Sequence, residues 1–130
     1  MIAISRWGKD HWSTFAYLET LAVDHEGIAK PDNRRMRTNE KTHPHLLGSP
    51  EQGASQYATR LKDGEAKGHD DWDCLDDAVE VGFLEDIGTG INRVFKFTKL
   101  GQKVASQLRV HKMNGGNFGD FISEAQKEGM

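Results

Sequence analysis

Between His69 and Lys112 the chain spells out helix, hairpin and helix in one unbroken pattern, and that order limits the fold more than any other segment. Asp70 and Asp71 are residue types that cap a helix N-terminus and suit its dipole. Trp72, Leu75 and Val79 follow at helical spacing, with Ala78 beside them, and Gly82 supplies the stop. Phe83 to Ile87, a Gly88-Thr89-Gly90 tip and Ile91 to Thr98 predict a hairpin, because Phe95 and Phe97 alternate with Val94 and Lys96. Thr98 is placed to cap a helix over Lys99 to Lys112, whose Leu100, Val104 and Leu108 make one apolar stripe. Asn114-Gly115-Gly116-Asn117 breaks it, and Phe118 to Ala125 offers Phe118, Phe121 and Ile122 for docking as a last amphipathic turn.

The rest of the 130 residues divides in two. In residues 1–28, Trp12, Phe15, Leu18 and Ala22 recur at helical spacing, which predicts a helix over roughly 10–25 preceded by a short strand or strap from Ile2 to Trp7. Residues 29–68 hold Pro31, Pro44 and Pro50 and few apolar side chains, so they read as a loop-rich insert. One helix is expected there, from Pro50 to Leu61 behind a Ser49 cap. With a tail from 113 to 130, the whole reads as a single helix-rich α+β domain with one hairpin. Hydrophobic residues make up 36 % of the chain, a thin core that favours long loops, a partner or a second copy. No apolar run approaches the ~20 residues of a membrane span, and no signal-peptide pattern opens the chain. One cysteine, Cys74, suits a reducing cytoplasm.

The string Trp72-x-x-Leu75, Gly82-Phe83-Leu84, hairpin, Phe95-x-Phe97-Thr98-x-x-Gly101 resembles the second half of a winged helix-turn-helix domain. The resemblance implies that the helix ending before Gly82 corresponds to the recognition helix, the hairpin to the wing, and the Thr98-capped helix to the one packed behind it. It also implies a helix before the recognition helix, which the middle segment must supply. The opening Arg6 to Ser13, RWGKDHWS, is similar to that of small uncharacterised bacterial and phage proteins.

Charge argues against the DNA function that most winged helices have. From His69 to Asn92 there are eight acidic residues and no lysine or arginine, and the net charge is −3. A helix in the major groove lies between two rows of phosphates, which would repel such a run. The favoured expectation is therefore a non-enzymatic cytoplasmic module, a regulator or accessory protein such as a phage-encoded inhibitor. It would meet a cationic protein partner through Asp70, Asp71, Asp73, Asp76, Asp77 and Glu80. The alternative is a DNA-binding regulator, as a dimer, touching phosphates through Arg34, Arg35, Arg37, Arg93, Lys96, Lys99 and Lys103. Against both stands the plain reading that these charge runs are capped or solvated faces.

Six histidines and one cysteine raise a third possibility, a zinc site or metal-dependent enzyme. The candidate ligands are His25, His43, His45, His69 and Cys74, with His43-Pro44-His45 placing two imidazoles on one side of an extended segment. No C-x-x-C or H-E-x-x-H frame supports it, and Cys74 reads equally as a buried small hydrophobe. The aspartates around Cys74 disfavour a thiolate, and no phosphate-binding glycine loop occurs. The aromatic side chains Trp7, Trp12, Trp72, Phe95 and Phe97 read as core.

Overall fold

A computed structural model of the chain describes residues 2–39, 42–46, 59–66 and 68–123. The fold is α+β: helix α1 (Lys9–Ala22), strands β1 (Ile28–Ala29), β2 (Thr59–Leu61) and β3 (Gly64–Ala66), helix α2 (Asp71–Glu80), strands β4 (Leu84–Asp86) and β5 (Phe95–Phe97), and helix α3 (Lys99–Met113). The strap before α1 holds one 3₁₀ turn, Ile4–Arg6. Strands β1, β5 and β4 form an antiparallel sheet in that order, with Ala29 opposite Phe95 and Leu84 opposite Phe97.

The pattern read over residues 69–112 is the part that folds as expected. Asp70 caps α2 in a reciprocal box, accepting from the Asp73 backbone N–H while the Asp73 carboxylate accepts from its own. Thr98 caps α3 by accepting from Gly101 N–H, and its hydroxyl donates to the Gly82 carbonyl. Gly101 is required by contact: a Cβ there would collide with the Phe83 carbonyl oxygen, on which α3 lies. Trp7, Trp12, Trp72, Phe95 and Phe97 are all buried in one core with Phe15, Leu18, Phe83 and Leu108. Edge-to-face contacts of Trp12 with Phe121 and of Trp7 with Phe83 fix the rings.

Elsewhere the sequence reading needs correction. The first helix stops at Ala22, because residues 23–27 turn back through Glu26 (φ 58°) and Gly27 (φ 81°) to begin β1. The helix expected over Pro50 to Leu61 lies largely outside the described residues, and its end is strand: Thr59–Leu61 pairs with Gly64–Ala66 in a second hairpin. No α-helix precedes α2 between β1 and Asp71 among the described residues. The tail makes a 3₁₀ turn at Phe118–Asp120 and buries Phe121, whereas Ile122 is 48 % exposed. No helix is long and apolar enough to cross a membrane.

Candidate metal centre at the start of α2

Helix α2 turns its acidic residues inward. Asp70, Asp71 and Asp77 are buried, Asp73 and Asp76 are half-buried, and only Glu80 of the six expected contact residues is exposed. An outward-facing acidic surface is thus corrected for the three buried aspartates, each of which has an internal partner. Asp71 accepts from Arg37 Nε at 2.9 Å and from Arg37 N at 2.8 Å, and Arg37 Nη1 continues to Asp10 at 3.0 Å. Asp10 in turn accepts from the Arg60 backbone N–H, so one arginine ties α1, β2 and α2 together. Burial raises the Asp71 carboxyl, and the Arg37 guanidinium offsets only part of that.

Asp77 holds a second knot. Its Oδ2 accepts from His11 Nε2 at 2.8 Å and from His69 Nε2 at 3.0 Å, and its Oδ1 accepts from Ile2 N. Burial would raise this carboxyl, but the three donors outweigh it and hold it at about 2. His11 lies stacked on Trp7, ring centroids 4.9 Å apart, and its Nδ1 is buried without a partner. These three side chains have a metal-like composition, two imidazoles and a carboxylate. The unpartnered Nδ1 decides against it. Both Nε2 atoms donate to Asp77, so an ion on them would have to displace both bonds. A metal on His11 Nε2 would also fix a hydrogen on the buried Nδ1, which has no acceptor among the described residues, at a cost of about 1–3 kcal/mol.

The His43 cluster has the opposite arrangement. Asp70 Oδ2, itself bonded by Asn39 N, accepts from His43 Nδ1 at 2.8 Å, so Nε2 is the ring nitrogen left for another partner. That nitrogen faces Asp73 Oδ1 at 3.9 Å, and one ring nitrogen of His43 and one oxygen each of Asp73 and Asp76 lie within 4.8 Å of one another. One imidazole nitrogen and two carboxylate oxygens therefore lie close together. Two carboxylates at such a separation repel by about 3 kcal/mol at an effective dielectric of about 20. Arg93 bonds Asp76 and also reaches Asp86. The Asp70 bond raises His43 against the pull of burial, and burial raises Asp73. The Asp70 carboxyl is lowered: burial works to raise it, and His43 with two backbone N–H groups prevails.

The five expected ligands do not meet at one centre. Cys74 is buried against Thr59, its thiol pushed well above its usual value by burial first and Asp71 second. His25 is exposed beyond the end of α1, and His69 is taken by Asp77. His43 and His45 are neighbours, ring centroids 6.2 Å apart, on a 3₁₀ turn at Pro44–Leu46 rather than on an extended segment. Asp73 and Asp76, assigned from sequence to a protein contact, are the acidic members of this cluster. His11 was missed altogether. Its clue was position, four residues after Trp7 and four before Phe15 on the apolar side of α1.

The basic residues also divide. Arg37 is spent on the buried Asp10 and Asp71, and Arg93 on the more open Asp76 and Asp86, its own side chain lying over the Trp72 and Phe95 rings and only 9 % exposed. Arg34 pairs with Asp32, and Arg35 covers Tyr17. Lys96, Lys99 and Lys103 are exposed on β5 and α3. Comparison of the chain with protein-family models, curated proteins and solved structures gave no match.

Proposed function

We propose that this chain is a divalent-metal-binding protein whose ion is held by His43, Asp73 and Asp76, with Asp70 orienting the imidazole. The observation that carries the reading is the direction of His43: a buried carboxylate fixes Nδ1, so Nε2, which gives up its proton to an incoming ion, is the nitrogen that faces Asp73, with Asp76 beside them. Carboxylate–imidazole–metal is the usual way a protein sets a histidine ligand. A tetrahedral ion about 2.0–2.2 Å from each would draw Nε2 and Asp73, 3.9 Å apart, together by about half an ångström. One nitrogen and two oxygens suit zinc or manganese better than a thiol-seeking ion.

Three protein ligands leave coordination positions for water, and the cluster is partly open to solvent, with His43 at 15 % and Asp73 at 24 % side-chain exposure. That is the form of a site that activates water rather than one that only braces a fold. The acidic-helix contact is less well supported, since most of its carboxylates are engaged inside the domain.

The test is calorimetric titration of Zn²⁺ and Mn²⁺ into chelator-treated, tag-free protein, with His43→Ala and Asp73→Asn alongside. One ion per chain with a dissociation constant in the micromolar range or below, lost in both variants, is expected. Absence of uptake by the wild type, or unchanged uptake by both variants, overturns the reading.

A further inference from the structure

We infer that Arg93 is the resident counter-ion of the empty site and competes with the metal for Asp76, so that it sets the affinity of the site. The inference rests on the metal reading above. Arg93 Nη2 bonds Asp76 Oδ1 and, at 3.2 Å, Asp86 Oδ2, so one nitrogen serves both a proposed ligand and a carboxylate outside the cluster. The guanidinium lies 5.0 Å from the Phe95 ring centroid and 5.9 Å from that of Trp72, and the side chain is only 9 % exposed. Its Nε is buried with no partner among the described residues. The two carboxylates and the two rings hold this cation beside the cluster rather than out in water.

Two cations then share one carboxylate. Without metal, Arg93 offsets the repulsion between ionised Asp76 and Asp73. An ion on the same carboxylate lies roughly 6 Å from the guanidinium, given ordinary hydrogen-bond and metal–oxygen lengths. At that separation a double and a single positive charge repel by about tenfold in affinity even at the dielectric of water. Asp86 limits the penalty, because it already accepts from the same nitrogen and keeps a partner for the guanidinium when Asp76 turns to the ion. Arg93 acts through Asp76 and does not touch the metal. The same charge stabilises the empty chain and opposes the ion, two effects of opposite sign.

Calorimetric titration of Zn²⁺ into chelator-treated wild type, Arg93→Gln, Arg93→Lys and Asp86→Asn tests this, with urea denaturation of each metal-free protein alongside. Glutamine keeps an amide donor and discards the charge, whereas lysine keeps the charge. Arg93→Gln should be less stable than wild type without metal, yet bind Zn²⁺ at least about tenfold more tightly. A purely structural role would instead lower stability and affinity together. Arg93→Lys should bind within about threefold of wild type. Asp86→Asn leaves the guanidinium to Asp76 alone and should weaken binding by at least about threefold, and this arm decides if Arg93→Gln does not fold. Unchanged or weaker binding in Arg93→Gln, equal tightening in Arg93→Lys, or wild-type affinity in Asp86→Asn overturns the inference while leaving the His43 site standing. No zinc uptake by the wild type overturns both.

Discussion

Asp70 bonds His43 Nδ1 with the oxygen that also accepts from Asn39 N, while its other oxygen caps α2 through Asp73 N. One carboxylate thus starts the helix and aims the imidazole. Asp70→Asn preserves a good cap but removes the negative charge behind the ring. Helix content by circular dichroism should stay unchanged, while affinity for Zn²⁺ falls by about 10- to 100-fold in calorimetry.

Removing the Asp77 carboxylate strands three donors at once, His11, His69 and Ile2 N. Asp77→Ala should cost about 3 kcal/mol in urea denaturation, the scale of several buried groups left unmatched. Asp76→Ala, whose carboxylate is more open, should cost less than about 1 kcal/mol in the metal-free protein.

Stability should respond to pH through His43 and His69, both raised above 6.5 first by their aspartate bonds. A raised imidazole contributes fully below the unfolded value and loses its contribution as pH climbs through the folded one. The metal-free protein should therefore gain stability as pH falls from the alkaline range toward 6.5, and His43→Gln combined with His69→Gln should flatten that rise. Asp77 has the opposite sign, its contribution being present above 3.8 and lost only as pH falls toward about 2. Denaturant midpoints across pH check both slopes.

Gly101→Ala places a methyl against the Phe83 carbonyl. Alanine favours a helix by about 1 kcal/mol, but overpacking against backbone costs about 1–3 kcal/mol and cannot be relieved by a rotamer change. A net loss of stability is expected on thermal melting, with Gly101→Ser at least as damaging.

The Cys74 thiol is buried and disfavoured as a thiolate. Native protein should react with a thiol reagent at pH 8 at least about 100-fold more slowly than protein in 6 M guanidinium, because only opening exposes the sulfur.

How far the sequence foretold this structure depends on what each residue had to pair with. Trp72, Leu75, Phe95, Phe97 and the Thr98-x-x-Gly101 cap act over short spans or through periodic burial, and both leave a mark in the letters. The cap role of Asp70 was visible for the same reason. Its bond to His43, 27 positions away, was not, since nothing local announces a long-range polar partner. The aspartates of α2 looked like a wet face because charged residues usually are. The companions that draw them inside, Arg37, His11, His43 and His69, come from three separate stretches of chain. Strand Thr59–Leu61 was mistaken for a helix end because its β-hairpin partner is short and carries a single apolar residue, Ala66.

The sequestered carboxylates bear on how the molecule behaves on an ion-exchange column. Asp10 and Asp71 are matched at contact distance by Arg37, and Asp70 and Asp77 sit behind imidazoles, while Lys96, Lys99 and Lys103 stay in water. A resin samples only the outer field. Native protein should consequently leave an anion exchanger at lower salt than the same chain in urea, where every acid is on display.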